Sequence, residues 1–133
     1  TQIALGGSHT CAIIGSGPTA AAKCWGLNSN GQLGDGTLTN RTYATNVVAT
    51  LTAGISQIAC GANHNLAIVP SVSLAPVVVG GWGLNTNGQI GDGTPADEDT
   101  PTNEADFVGI YKKSKYAWKL QTRTIMERIC KKT

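Results

Sequence analysis

Trp25-Gly26-Leu27-Asn28-Ser29-Asn30-Gly31-Gln32-Leu33-Gly34-Asp35-Gly36-Thr37 returns as Trp82-Gly83-Leu84-Asn85-Thr86-Asn87-Gly88-Gln89-Ile90-Gly91-Asp92-Gly93-Thr94, shifted by 57 positions. Ahead of it, Ile3-Ala4-Leu5-Gly6-Gly7-Ser8-His9-Thr10-Cys11-Ala12-Ile13 returns as Ile58-Ala59-Cys60-Gly61-Ala62-Asn63-His64-Asn65-Leu66-Ala67-Ile68, shifted by 55. The two added residues fall between the blocks. A chain that repeats itself at this length builds an array of similar units, each burying itself against the next.

Each copy parses as strands and turns. Residues 3–5 and 10–14 are short apolar and β-branched runs joined by Gly6-Gly7, and residues 20–25, answered by 77–82, supply the next strand. Asn30-Gly31, Asp35-Gly36, Asn87-Gly88 and Asp92-Gly93 are strong turn dipeptides. Aromatic residues at 5%, charged residues at 14% and 17 glycines in 133 residues suit short strands and tight corners, so the expected class is all-β. The expected organisation is a first repeat over residues 1–54, a second over 55–109 and a separate tail over 110–133.

The Gly-x-x-His block and the Trp-Gly-x-Asn-x-x-Gly-Gln-x-Gly-Asp-Gly-Thr block resemble the repeats of the regulator of chromosome condensation family, over about residues 1–109. The resemblance implies β-propeller blades set radially around an axis, normally about seven, with partners held on faces and loops. It casts His9, Trp25, Gly31, Gly34, Asp35 and Gly36, with His64, Trp82, Gly88, Gly91, Asp92 and Gly93, as blade-shaping residues. At 133 residues the chain is too short for a full ring of such blades. After Ile110 the repeat vocabulary stops, and Tyr111-Lys112-Lys113-Ser114-Lys115 replaces it.

Catalytic and cofactor chemistry finds little footing. His9 and His64 share one slot, with no Cys or His at ligand spacing along the chain, so each is expected to be structural, its ring bonded within its own blade. A phosphate loop needs Gly-Lys-Ser/Thr opening a helix, and Gly36-Thr37 lacks the lysine. Asn28 and Asn30 faintly echo a calcium loop without its closing Glu, so turn formation is the better account. No catalytic residue, cofactor or metal is expected, and an enzyme is disfavoured.

Cys11 and Cys24 flank one hairpin loop, and their counterparts Leu66 and Gly81 are lost together; this favours a disulfide over two buried thiols. A disulfide implies an oxidising compartment, extracellular or periplasmic, with an intracellular setting as the alternative. The acceptor motif Asn40-Arg41-Thr42 adds little weight. The chain opens on Thr1 with no leader pattern, and no stretch approaches the 18 or so apolar residues of a membrane span.

Residues 1–111 hold two bases against seven acids, a net −5, while residues 112–133 hold eight bases against Glu127, a net +7. The tail has helical periodicity from Ser114. Trp118, Thr122, Ile125, Met126, Ile129 and Cys130 share an apolar face, and Lys119, Arg123, Glu127 and Lys131 a charged one. Three readings stay open for this basic amphipathic helix. It docks on the body or a neighbouring copy; it binds nucleic acid or an anionic surface; or it is a scrambled end without a role.

The expected function is a non-catalytic protein-interaction scaffold, part of a larger ring or homo-assembly, whose partner is a protein or further copies of the chain. The basic stripe would meet a loop at Asp97-Glu98-Asp99 of a neighbour. The alternatives are an intracellular regulator of a small GTPase or chromatin binder, and a secreted enzyme-inhibitor module.

Overall fold

The computed structural model describes residues 1–47, 54–69 and 78–103. Its strands are β1 (Gln2–Leu5), β2 (His9–Ile14), β3 (Ala21–Gly26), β4 (Arg41–Asn46), β5 (Gln57–Cys60), β6 (His64–Val69), β7 (Val78–Gly83) and β8 (Glu98–Asn103), with a short 3-10 turn at Gly17–Thr19. They form two four-stranded antiparallel sheets, ordered β1-β2-β3-β4 and β5-β6-β7-β8. The described residues are therefore all-β, with almost no helix.

Equivalent residues hold equivalent registers. His9 pairs with Gly26 and Cys11 with Cys24, just as His64 pairs with Gly83 and Leu66 with Gly81. Both third strands break register at the same place, between Cys24 and Gly26 and between Gly81 and Gly83. The repeat is thus one of hydrogen bonding as well as of letters.

Side chains alternate across a strand, so each blade has two faces. Cys11, Ile13, Ala20, Ala22, Cys24, Leu33 and Val47 of the first blade join Ile55, Ile58, Ala67 and Trp82 of the second in one buried cluster. The core therefore lies in the seam between the sheets, and burial across that seam is the main source of stability.

The outer strands differ from the sequence-based reading. β4 was not foreseen, because Thr42, Tyr43 and Ala44 are all exposed and no apolar alternation marks it. Glu98 and Asp99, expected in a loop, begin β8, which also contains Pro101. Charge and proline are what outermost strands carry to discourage edge pairing, and they obscure a strand in sequence. Trp25 and Trp82 do not share an environment: Trp82 is fully buried, whereas Trp25 is half-buried. Among the described residues no blade precedes the first to cover Trp25. No helix among the described residues is long and apolar enough to cross a membrane. The expected tail helix, with Trp118, Lys119, Arg123, Ile125, Ile129 and Lys131, lies outside the described residues.

Candidate functional site

The glycine-rich block of each blade is organised by one buried asparagine. Asn28 Nδ2 donates to Asp35 Oδ1 at 3.1 Å and to the carbonyls of Thr37 and Thr39 at 2.8 and 3.1 Å, while its Oδ1 accepts from Leu33 N at 2.8 Å. Asn85 repeats the pattern with Asp92 Oδ1 at 3.1 Å, the Thr94 carbonyl at 2.8 Å and Ile90 N at 2.9 Å. Asp35 also receives Thr37 Oγ1 at 2.6 Å and pairs with Arg41 at 2.7 Å. Burial alone would raise the Asp35 carboxyl, but its bonds from Thr37 and Arg41 hold it below the ordinary carboxylate range. Asp92 is also lowered, chiefly by the Thr94 N–H. These polar groups are engaged in holding the turn.

The seam between blades has three parts. The Gln2 amide bonds both ways to Ile58, donating to its carbonyl at 2.8 Å and accepting from its N–H at 3.1 Å, as a strand would. Trp82 Nε1 and Asn65 Nδ2 both donate to the Gln32 carbonyl, at 3.1 and 2.7 Å. On the loop side, Asp97 accepts from Asn30 Nδ2 at 2.9 Å and from Asn85 N at 2.8 Å, so this acid, expected to meet a neighbouring chain, is engaged within its own. Gly31, at φ +76°, backs directly onto β8: a Cβ there would lie 2.5 Å from Asp99 Cα.

His9 bonds across this seam to Asn65 Oδ1 at 2.8 Å, not within its own blade as expected. Because Asn65 Nδ2 donates to Gln32, its Oδ1 is the acceptor, so His9 Nε2 carries the proton and Nδ1 is left buried with no hydrogen-bond partner. Burial holds this imidazole below its usual range, against the Asn65 bond and with a small push from His64. Cys11 and Cys24 are joined by a disulfide. Cys60, a half-buried free thiol, donates to the Ala4 carbonyl at 3.6 Å, and burial pushes it up to about 11. One ligand atom from each of His9, Cys11 and Cys60 lies within 4.8 Å of the others. Sequence spacing hid this cluster, since Cys60 arrives from the other blade.

Among the described residues, the two outer flanks repeat the seam without a partner. Ile58 is 3% exposed in the seam, and its counterpart Ile3 is 62% exposed on the open side of the first blade. On the far side of the second blade Leu66, Ile68 and Val79, counterparts of the buried Cys11, Ile13 and Ala22, line an apolar recess of about 380 Å³. Gln57, the counterpart of the Gln2 clamp, stands exposed beside them.

Residues 24–68 match the family model "Regulator of chromosome condensation (RCC1) repeat". The chain carries an RCC1 repeat. The matched stretch runs from β3 of the first blade to β6 of the second, so the sequence repeat straddles the seam and includes both sides of it. Among curated relatives, the chain is 33% identical over 109 residues to the ultraviolet-B receptor UVR8 of Arabidopsis thaliana, covering 82% of this chain and 23% of UVR8. It is 31% identical over 100 residues to the human probable E3 ubiquitin-protein ligase HERC3, covering 75% of this chain and 9% of HERC3. The chain thus spans less than a quarter of either relative. Human WBSCR16 and yeast RCC1 (Prp20), solved bound to Kap60, share the fold, each with a TM-score of 0.58 at 23% identity over 77% of this chain. The match covers 25% of the WBSCR16 chain and 22% of the Prp20 chain.

Proposed function

We propose that this RCC1-repeat chain is a non-catalytic protein-interaction scaffold, whose two blades form an arc of a larger propeller and whose open flanks seat further RCC1 blades. Those blades come from a longer parent chain or from additional copies. The observation that carries this reading is the match between seam and flank: Gln57, Leu66, Ile68 and Val79 occupy the positions through which the first blade holds the second. An apolar recess beside an exposed strand edge invites association. A blade of the same kind would bring the complementary tryptophan and asparagine.

The non-catalytic reading draws on the repeat's own polar groups. Asn28, Asp35, Asn85 and Asp92 are committed to turn hydrogen bonds. HERC3 is named a ligase, yet the similarity spans 9% of it. With Cys11 and Cys24 bonded, the reading places the chain in an oxidising compartment. Sedimentation of the full chain tests the scaffold proposal. Concentration-dependent association at micromolar protein, lost in Ile68→Asp, supports it; a monomer at all concentrations that also fails to bind any RCC1-repeat partner supplied in trans overturns it.

A further inference from the structure

We propose that His9, Cys11 and Cys60, once the Cys11–Cys24 disulfide is reduced, bind a thiophilic d10 divalent cation of the zinc type that clamps the two blades together. His9 and Cys11 lie on β2 of the first blade and Cys60 on β5 of the second, so such an ion bridges the seam. Their ligand atoms lie within 4.8 Å of one another. In a tetrahedral zinc site with Zn–S near 2.3 Å and Zn–N near 2.0 Å, neighbouring ligand atoms stand roughly 3.5–3.8 Å apart, so the group needs to close by about 1 Å. One nitrogen, with two or three sulfurs, is the donor set that selects zinc over magnesium or calcium.

An independent observation points the same way. The Asn65 amide, held by its bond to the Gln32 carbonyl, accepts from His9 Nε2, and His9 Nδ1 is buried without a hydrogen-bond partner. A buried nitrogen without a partner is costly, and coordination gives it one. The set is also confined to this seam. Leu66 and Gly81 replace Cys11 and Cys24 in the second blade, and Leu5 fills the slot of Cys60 in the first.

Disulfide and ion are alternative uses of one sulfur. A dithiol reductant supplies two electrons and two protons; its own sulfurs join as a disulfide, and Cys11 and Cys24 become thiols. The ion then takes Cys11 and Cys60 as thiolates, their protons passing to solvent. Cys24, directly opposite Cys11 in register, is freed to supply a third sulfur.

The test uses the full chain carrying Cys130→Ser, so that the cysteine outside the described residues cannot contribute. Reduced with a phosphine and titrated with Co²⁺, this protein should develop thiolate-to-cobalt absorption in the near ultraviolet, displaced by Zn²⁺; the oxidised protein should not. Cys60→Ser should lose the band. Cys24→Ser, whose Cys11 cannot be oxidised within the blade, should bind Co²⁺ with no reductant and gain thermal stability from Zn²⁺. A band undiminished in Cys60→Ser, or none in either the reduced protein or Cys24→Ser, overturns the proposal.

Discussion

At the scale of single residues, the Asn28 hub turns a glycine-rich stretch into one defined loop. Its amide is fully buried, donates to Asp35 and to the Thr37 and Thr39 carbonyls and accepts from the Leu33 N–H, so Asn28→Ala strands several polar groups at once. The expected cost is about 3 kcal/mol in chemical denaturation. Asn28→Asp should be at least as damaging, since it keeps the bond from Leu33 but turns a carboxylate oxygen toward Asp35 and the Thr37 and Thr39 carbonyls. Asp35 contributes in a pH-dependent way. Its folded pKa lies below its unfolded value, so its stabilisation is complete above the ordinary carboxylate pKa near ~3.9 and is lost as pH falls through the folded value. Thermal melts between pH 5 and 2 should therefore show stability falling with acid, and Asp35→Asn should flatten that slope; an unchanged slope would remove Asp35 from the account. The asparagines, aspartates and glycines of this loop were legible in sequence because turn chemistry is local. Their partners Thr39 and Arg41 were not, because no motif marks where the chain returns to the hub.

At the scale of elements, the legible strands are those that face the seam. β1, β2 and β3 and their counterparts carry apolar and β-branched residues; β4 carries exposed Thr42, Tyr43 and Ala44 and β8 carries acids, threonines and a proline, and their strand character comes from pairing with β3 and β7. The disulfide was legible as a pair lost together, and it joins directly opposed residues on β2 and β3. With a sequence separation of 13 between its ends, its loop is short, and the chain-entropy model gives roughly 3 kcal/mol for it. Reduction should lower the denaturation midpoint correspondingly, measured before and after phosphine treatment; no change would show that the seam alone holds the first blade. The tryptophans separate repeat identity from environment. Trp82→Ala empties a site closed by Gly34 and the Gln32 carbonyl, and should cost about 3–5 kcal/mol. Trp25→Ala, at the same repeat position but half-exposed, should cost clearly less. Equal losses would mean that something covers Trp25.

At the scale of the whole molecule, two glycines at one repeat position report whether the outer flank is filled. Gly31 and Gly88 both have positive φ, +76° and +70°, so alanine strains the backbone at either by about 1–2 kcal/mol. They differ in what lies behind them. A Cβ at Gly31 meets Asp99 Cα at 2.5 Å and the Glu98 carbonyl at 2.7 Å, backbone atoms that cannot rotate away, whereas a Cβ at Gly88 meets nothing within 4 Å. Gly31→Ala must also push β8 off the first blade, adding roughly 1–3 kcal/mol of overpacking. In dilute, monomeric protein, Gly31→Ala should therefore be the more damaging by about that margin, read from denaturant midpoints. As concentration rises and a further blade docks beside Gly88, the same steric conflict should appear there, so Gly88→Ala should weaken association in addition to the backbone strain it places on the monomer. If Gly88→Ala is already as costly as Gly31→Ala in protein shown by sedimentation to be monomeric, then the chain itself covers the second blade. The flank would then be closed from inside, and the docking of further blades there would have to be abandoned.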